Sequence, residues 1–180
     1  RFQIGGIANY AKGDVKGFQI GGIMNKAQNV KGFQIGLINI ADSVDGFCVG
    51  LVNLIKHGYK VIEVGTNDVM QTNLSYKAGR RQFYNILSAG YRFGPGHFAV
   101  SYGGGFGTLQ QLGPLTVSLE ATVNDVVEQG LGPGKLNMLI PARMSLGLPI
   151  GQHLEVFAGV AHNLHITQPQ NSIGEYHSTL

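Results

Sequence analysis

The residues best suited to chemistry in this 180-residue chain are three charged side chains, Glu120, Arg143 and Glu155. Each falls on the polar side of a segment in which apolar and polar residues alternate, and this alternation predicts β-strands. Side chains on the same face of neighbouring strands lie close together, so Glu120 and Arg143 are expected to pair. Glu155 belongs to the same polar set, and the three form a candidate interior polar cluster. The simplest interpretation of this cluster is an ion pair in a polar interior. We therefore predict no catalytic residue.

Six histidines and one cysteine raise the question of a metal site. His162 and His165 are three residues apart, which on a strand places them on opposite faces and disfavours shared metal ligation. Cys48 stands where related segments carry glutamine, and we interpret it as a small packed residue rather than a nucleophile. No metal and no cofactor are therefore predicted.

Two glycine-rich segments are candidates for a phosphate-binding loop, and both lack its pattern. Neither a lysine nor a helical pattern follows Gly103–Gly105. Gly130–Lys135 ends in a Gly-Lys pair, but it is one residue short, and Leu136 stands where serine or threonine is needed to reach the phosphate and its metal. The sequence predicts no nucleotide site and no enzymatic activity.

The elements that carry these residues begin with four near-copies of one motif. Each copy has an aromatic residue, a glycine and an asparagine at nearly constant spacing. The copies start at Phe2, Phe18, Phe33 and Phe47. A fixed short period is the mark of a repeat architecture, and repeated units build walls and surfaces more often than catalytic centres.

Two packings fit the repeats. In the first, each repeat is one strand of an antiparallel meander within an outer-membrane-type barrel, with the mixed small and polar face toward a crowded or wet interior. In the second, each repeat is one coil of a β-solenoid, with phenylalanine and isoleucine inward and the glycines at a corner. If the coils stack in register, the glutamines at positions 3, 19 and 34 form a hydrogen-bonded ladder.

The rest of the chain reads as a succession of long strands. The predicted strands are Lys60–Val64, Thr72–Ala78, Phe83–Phe93, His97–Thr108, Leu115–Asn124, Leu136–Leu148 and Leu154–Ile166. Several reach ten residues or more, close to the roughly 9–11 that a bilayer-spanning strand needs. We therefore predict an all-β protein with tandem β repeats in residues 1–58 and an antiparallel, barrel-like meander in residues 59–180. The alternative is a β-solenoid followed by a soluble β-meander.

Composition narrows the class of partner. The net charge is only +3, and the lysines recur at turns between repeats rather than among stacking aromatic residues, so nucleic-acid binding is not expected. No run of 18 apolar residues is present, which argues against a transmembrane helix.

The repeat block resembles bacterial surface-repeat proteins of the Gram-negative cell envelope. The resemblance rests on Gly17–Asn25, Gly50–Tyr59 and Phe83–Leu87, and more loosely on Gly103–Gly107 and Phe157–Asn163. It implies export to the envelope, an outer-membrane-associated β-rich body, further repeats upstream and no established enzymatic activity. The chain departs from outer-membrane barrels in ending on Leu180 rather than on an aromatic residue.

The function expected from these observations is that of a non-catalytic outer-membrane or cell-surface protein. It would act as a structural or accessory surface component, with outer-membrane lipid or an envelope protein complex as its partner. The alternative is a soluble, surface-displayed β-solenoid module that binds a glycan or a protein.

Overall fold

The computed structural model describes residues 2–94, 97–128 and 137–167, and every regular element among them is a β-strand. The strands are β1 (Gln3–Gly5), β2 (Ala8–Tyr10), β3 (Val15–Gly21), β4 (Met24–Ile35), β5 (Ile38–Val49), β6 (Val52–Ile55), β7 (Tyr59–Gly65), β8 (Thr72–Arg80), β9 (Phe83–Gly94), β10 (His97–Leu112), β11 (Leu115–Glu128), β12 (Asn137–Ile150) and β13 (Leu154–Thr167). The all-β prediction is confirmed. Within these residues no helix is long and apolar enough to span a membrane.

Contacts divide the chain into two compact units. Of the described residues, the first unit contains 2–61, 77–85 and 106–110, and the second contains 62–76, 86–94, 97–105, 111–128 and 137–167. Strands β1 to β6 belong to one sheet, and β7 to β13 form another.

The tandem repeats form a parallel β-solenoid of about four coils. Equivalent residues of successive coils pair in register: Phe18 with Phe33, Phe33 with Phe47, and Asn25 with Asn39. The prediction that the repeats are antiparallel barrel strands is therefore wrong, and the solenoid alternative fits. Parallel stacking is favoured because it places each amide next to its own equivalent, where identical side chains complete each other's hydrogen bonds.

The side-chain directions within the solenoid are the reverse of those predicted for it. The glutamine and asparagine rows are buried, whereas Phe18 and Phe33 are about 40% exposed. The buried row of each coil also contains a small or β-branched residue such as Ala27 or Val30. These residues leave a narrow interior that an amide fills but a phenyl ring does not.

One glycine of each coil permits the bend before the aromatic residue. Gly17, Gly32 and Gly46 stack on one another and all have positive φ, at 129°, 140° and 148°. A Cβ atom on Gly46 would lie 1.9 Å from the carbonyl oxygen of Gly32. The position thus excludes a side chain both by backbone conformation and by the close approach of the neighbouring coil.

A different corner absorbs part of the irregular spacing of the repeats. The first two copies have Gly-Gly before the apolar corner residue, and the third and fourth have a single glycine. The residues on either side stay in register, since the Ile23 carbonyl accepts the Ile38 amide at 2.8 Å and Asn25 pairs with Asn39. This corner therefore accounts for one of two one-residue differences. The other lies between Tyr10 and Val15, since Tyr10 pairs with Lys26, 16 residues further on, whereas Val15 pairs with Val30, 15 residues further on.

The second sheet is an antiparallel meander in the order β13-β12-β11-β10-β9-β8-β7. Its seven strands confirm the seven predicted from alternation, each within a few residues of the predicted bounds. The strand order runs from β13 to β7 without closing, so the predicted barrel is not the architecture of this sheet. In β11 and β12, Glu120 lies opposite Arg143 and Leu119 opposite Met144, which fixes a polar and an apolar face.

Candidate functional site

The polar face of the second unit centres on Arg143. Its guanidinium donates to Glu63 Oε1 at 2.6 Å and to Glu120 Oε2, and it lies over the ring of Phe157, with 5.5 Å between Cζ and the ring centroid. The register of β11 and β12 puts Glu120 directly across from Arg143, whereas Glu63 comes from β7. Two carboxylates thus share one guanidinium.

Burial controls the electrostatics of this cluster. The Glu120 side chain is only 3% exposed, and those of Glu63 and Arg143 are 13% and 29% exposed. Burial lowers the pKa of Arg143, but the charges of Glu120 and then Glu63 outweigh it, so the net pKa is raised above its ordinary value. Arg143 therefore remains a cation at every pH at which the protein is folded, which suits a structural ion pair better than proton transfer.

Glu155 does not join Arg143. Its carboxylate instead accepts a hydrogen bond from the Thr116 hydroxyl, and the residue is exposed. Of the three residues in the candidate cluster, the structure brings Glu120 and Arg143 together and places Glu155 apart. Sequence reasoning missed Glu63, because β7 is short and its alternation does not reveal which face is polar.

A cavity of about 430 Å³ opens beside this ion pair within the second unit. Polar side chains from five strands line it, together with apolar groups such as Met70 and Phe157. The lining hydroxyl and amide residues are Thr66, Asn67, Asn73, Ser75, Ser88, Ser101, Thr122, Asn124 and Ser145.

The first unit contains a second polar arrangement, a pair of amide ladders inside the solenoid. Along one ladder, Asn25 Nδ2 donates to Asn39 Oδ1 at 2.9 Å and Asn39 Nδ2 donates to Asn53 Oδ1 at 2.8 Å. Along the other, Gln34 Nε2 donates to Gln19 Oε1 at 2.9 Å, so the predicted glutamine ladder is present. The donors of the two ladders point in opposite directions along the stack.

Two residues from outside the repeats, Asn85 and Arg80, bond the last coil of the solenoid. Asn53 donates to Asn85 of β9, and Asn85 donates in turn to the carbonyl of Gly50. Arg80 Nη1 donates to the carbonyl of Gly46 at 2.8 Å. Asn85 and Arg80 therefore satisfy acceptors that would otherwise face a missing coil.

Cys48 terminates the glutamine ladder. It is buried, as predicted, and its thiol donates to Gln34 Oε1 at 3.0 Å. A thiol is suited to this end of the ladder because the last side chain must donate one hydrogen bond to Gln34. It does not need to accept one, since no further glutamine follows it in the ladder. Burial raises the pKa of Cys48 to about 12, despite the opposing effect of Arg80.

We expect the Cys48 thiol to react with a disulfide reagent at pH 8 roughly a thousandfold more slowly in the native protein than in 8 M urea, because only the thiolate attacks. Because the pKa of the Cys48 thiol is higher in the folded protein than the ordinary 9.0, the buried thiol contributes to the free energy of unfolding. This contribution is complete below pH 9 and is lost as the pH rises from 9 toward 12. Release of the reagent's chromophore measures the rate. Equal rates in buffer and urea would show that the thiol is not buried.

No family model, curated protein or solved structure matches this chain. The function must therefore be argued from its own geometry.

Over residues 2–94, 97–128 and 137–167, no three His, Cys, Asp or Glu side chains lie close enough together to hold a metal ion. His165 Nε2 contacts Asn137 Oδ1 at 2.5 Å. The glycine-rich segment Gly130–Lys135 lies outside the described residues.

Proposed function

We propose that this protein is a non-catalytic component of the Gram-negative cell envelope, with its outward strand faces in contact with outer-membrane lipid. It would serve a structural or accessory role at the cell surface. The observation that supports this proposal is a partly reversed polarity in both units: many of the buried side chains are polar, and long rows of exposed side chains are apolar.

The solenoid shows this reversal in its amide rows, which share the interior with small and β-branched apolar residues such as Ala27 and Val30. Its fully buried side chains include Gln19, Gln34, Asn25 and Asn39, each at 0% exposure. The outward positions of the same strands hold apolar rows, which are Phe2, Phe18, Phe33 and Phe47, and Ile4, Ile20, Ile35 and Val49. A water-soluble solenoid normally has the opposite arrangement, because burial of apolar surface is the main force that stabilises a fold in water.

The second sheet shows the same reversal. On β11, Glu120 and Asn124 are buried, while Leu119 and Val123 are 53% and 45% exposed. On β12 the apolar residues Met144, Leu146, Leu148 and Ile150 are all about half exposed. An apolar face this continuous marks a surface that contacts lipid or another protein, and alternation of apolar-out with polar-in is the pattern of strands that face lipid.

The sheet has open edge strands, and lipid contact requires that these edges be covered. Unpaired backbone groups are costly in hydrocarbon, so an edge strand such as β13 would need a covering partner in the membrane. An envelope protein complex supplies such a partner, and this is why we include one among the proposed contacts.

Lipid contact can be tested residue by residue because the chain contains no tryptophan. We expect the fluorescence of Leu119→Trp and Phe33→Trp to be strongly quenched in phosphatidylcholine vesicles with brominated acyl chains, relative to the same vesicles without bromine. Both positions are outward and apolar. The matched control is Lys12→Trp, at an exposed turn between coils, where we expect little quenching.

Two results would overturn the lipid proposal. One is release of the full chain from washed vesicles by alkaline carbonate, and the other is equal quenching of all three tryptophan variants. Either result would favour the second candidate, a soluble surface module that binds a glycan or a protein. The stacked rings of Phe18 and Phe33, with centroids 5.1 Å apart and exposed to solvent, are the feature that favours that candidate.

A further inference from the structure

We propose that the cavity of the second unit binds a small neutral or cationic polyhydroxylated ligand, of the size of a sugar or a disaccharide. Its volume of about 430 Å³ falls within the roughly 300–1,000 Å³ of small-molecule sites. The site lies apart from the outward apolar faces, and the inference does not rest on their contact with lipid.

The strongest indication of a ligand is the hydroxyl of Ser145. This residue lines the cavity, is only 4% exposed, and its Oγ has no hydrogen-bond partner among the described residues. A buried hydroxyl without a partner costs on the order of 1–3 kcal/mol, so such groups are rare in folded proteins. A ligand hydroxyl or an ordered water in the cavity would satisfy it.

The residue opposite Ser145 keeps the space in front of this hydroxyl open. Gly159 of β13 pairs with Ser145 of β12. A Cβ atom on Gly159 would lie 2.5 Å from Ser145 Oγ and 2.3 Å from the carbonyl oxygen of Met144. Any larger residue would therefore close this part of the cavity.

A chain of hydrogen bonds orients the other polar groups of the wall. Ser88 Oγ donates to Asn124 Oδ1 at 2.6 Å, and Asn124 Nδ2 donates to Thr122 Oγ1 at 2.9 Å. The Thr122 hydroxyl accepts in this chain and so keeps its own hydrogen for a further acceptor. A wall with fixed donors and acceptors matches a ligand that carries several hydroxyl groups, since each such group both donates and accepts.

Charge and shape restrict the class of ligand further. Among the described residues that line the cavity, the carboxylates are Asp68 and Glu120 and the cation is Arg143, which Glu63 also bonds. An excess of carboxylates over guanidinium groups disfavours an anion. The ring of Phe157 lines the same cavity and offers an apolar surface against which the C–H face of a sugar ring can pack.

The experiment titrates the full chain by calorimetry with four probes: D-glucose, maltose, D-glucosamine and D-glucuronate. We expect saturable binding of at least one neutral sugar or of glucosamine, and at least tenfold weaker binding of glucuronate because of the carboxylate excess. No saturable binding of any probe, or tightest binding of glucuronate, would overturn the proposal.

Ser145→Ala tests the named hydroxyl directly. We expect it to weaken the binding of the preferred probe up to about tenfold, the effect of one lost hydrogen bond. Its urea midpoint should not fall, because the hydroxyl has no partner within the described protein. The matched control is Ser118→Ala, directly across from Ser145 in the register but outside the cavity lining, which should bind as the native chain does.

Unchanged affinity in Ser145→Ala would show that the hydroxyl is satisfied by water alone and would also overturn the proposal. These readouts are independent of tryptophan quenching in vesicles. Failure of the ligand site and failure of the lipid proposal are therefore distinguishable.

Discussion

Replacement of Asn39 by leucine should lower the free energy of unfolding by about 4–6 kcal/mol, the largest effect we expect from any single substitution in the solenoid. Asn39 is 0% exposed and occupies the middle of the asparagine ladder. Its Nδ2 donates to Asn53 Oδ1 at 2.8 Å and to the Val49 carbonyl at 2.9 Å, and its Oδ1 accepts from Asn25 at 2.9 Å. A leucine satisfies none of these three groups.

The loss of stability is large mainly because the substitution leaves buried donors and acceptors without partners. The loss of the hydrogen bonds themselves is the smaller part. Each buried donor or acceptor without a partner costs about 1–3 kcal/mol, and the narrow interior excludes the water that might replace the amide. Natural domains are stable by only about 5–15 kcal/mol, so the variant should be close to unfolding at 25 °C. Urea denaturation followed by circular dichroism measures the change.

A matched control separates this effect from the general loss of an asparagine. Asn29 lies in β4 of the same solenoid and is half-buried; its Nδ2 donates to Asp14 Oδ1 at 2.7 Å in an exposed setting, and its Oδ1 accepts from Ser43 Oγ at 2.6 Å. Asn29→Leu should cost less than about 1.5 kcal/mol, because water can replace the lost partners. Equal losses in the two variants would contradict a buried, mutually dependent ladder.

Replacement of Arg143 by methionine should destabilise the protein by about 3–5 kcal/mol, the cost of breaking a buried ion pair by removing one of its charges. Glu120 is buried, and both it and Glu63 bond Arg143, so the substitution leaves two carboxylates close together. Methionine keeps much of the aliphatic length of arginine, so most of the effect is electrostatic. The urea midpoint at pH 7 measures it.

Neutralisation of the two carboxylates should partly rescue this variant. The triple variant with Glu120→Gln and Glu63→Gln should recover part of the stability at pH 7, because two neutral amides do not repel each other. A deficit that both glutamines leave unchanged would show that Arg143 acts by packing against Phe157 instead.

The sequence predicted the elements of this fold better than their assembly. Alternation in segments such as Leu115–Asn124 was sufficient to locate the long strands, because side chains on one face of a half-buried strand share one polarity. The pairing of Glu120 with Arg143 followed from the same pattern. Glu155 lies apart because its position depends on how β13 is placed against β12, which alternation alone does not fix.

The repeats were harder to interpret because parallel and antiparallel packings have the same local pattern. Phe18 and Gln19 alternate in either case, and only the in-register hydrogen bonds between equivalent amides select the parallel stack. The inward direction of glutamine was unexpected for a solenoid because apolar residues are normally buried. The partnerless hydroxyl of Ser145 had no signal in the sequence, since it depends on which groups the folded strands place around it.

The way in which the last coil of the solenoid is bonded has a consequence for how such a chain changes length in evolution. Asn85, Arg80 and Cys48 bond the last coil, whereas the amide ladders of the internal coils run from each coil to the next. Duplication or loss of one coil would add or remove one rung from each row and leave the terminating groups in place. Gene variants that differ by whole coils should therefore fold equally well, and the corner that already tolerates one extra residue shows where single-residue insertions are accommodated.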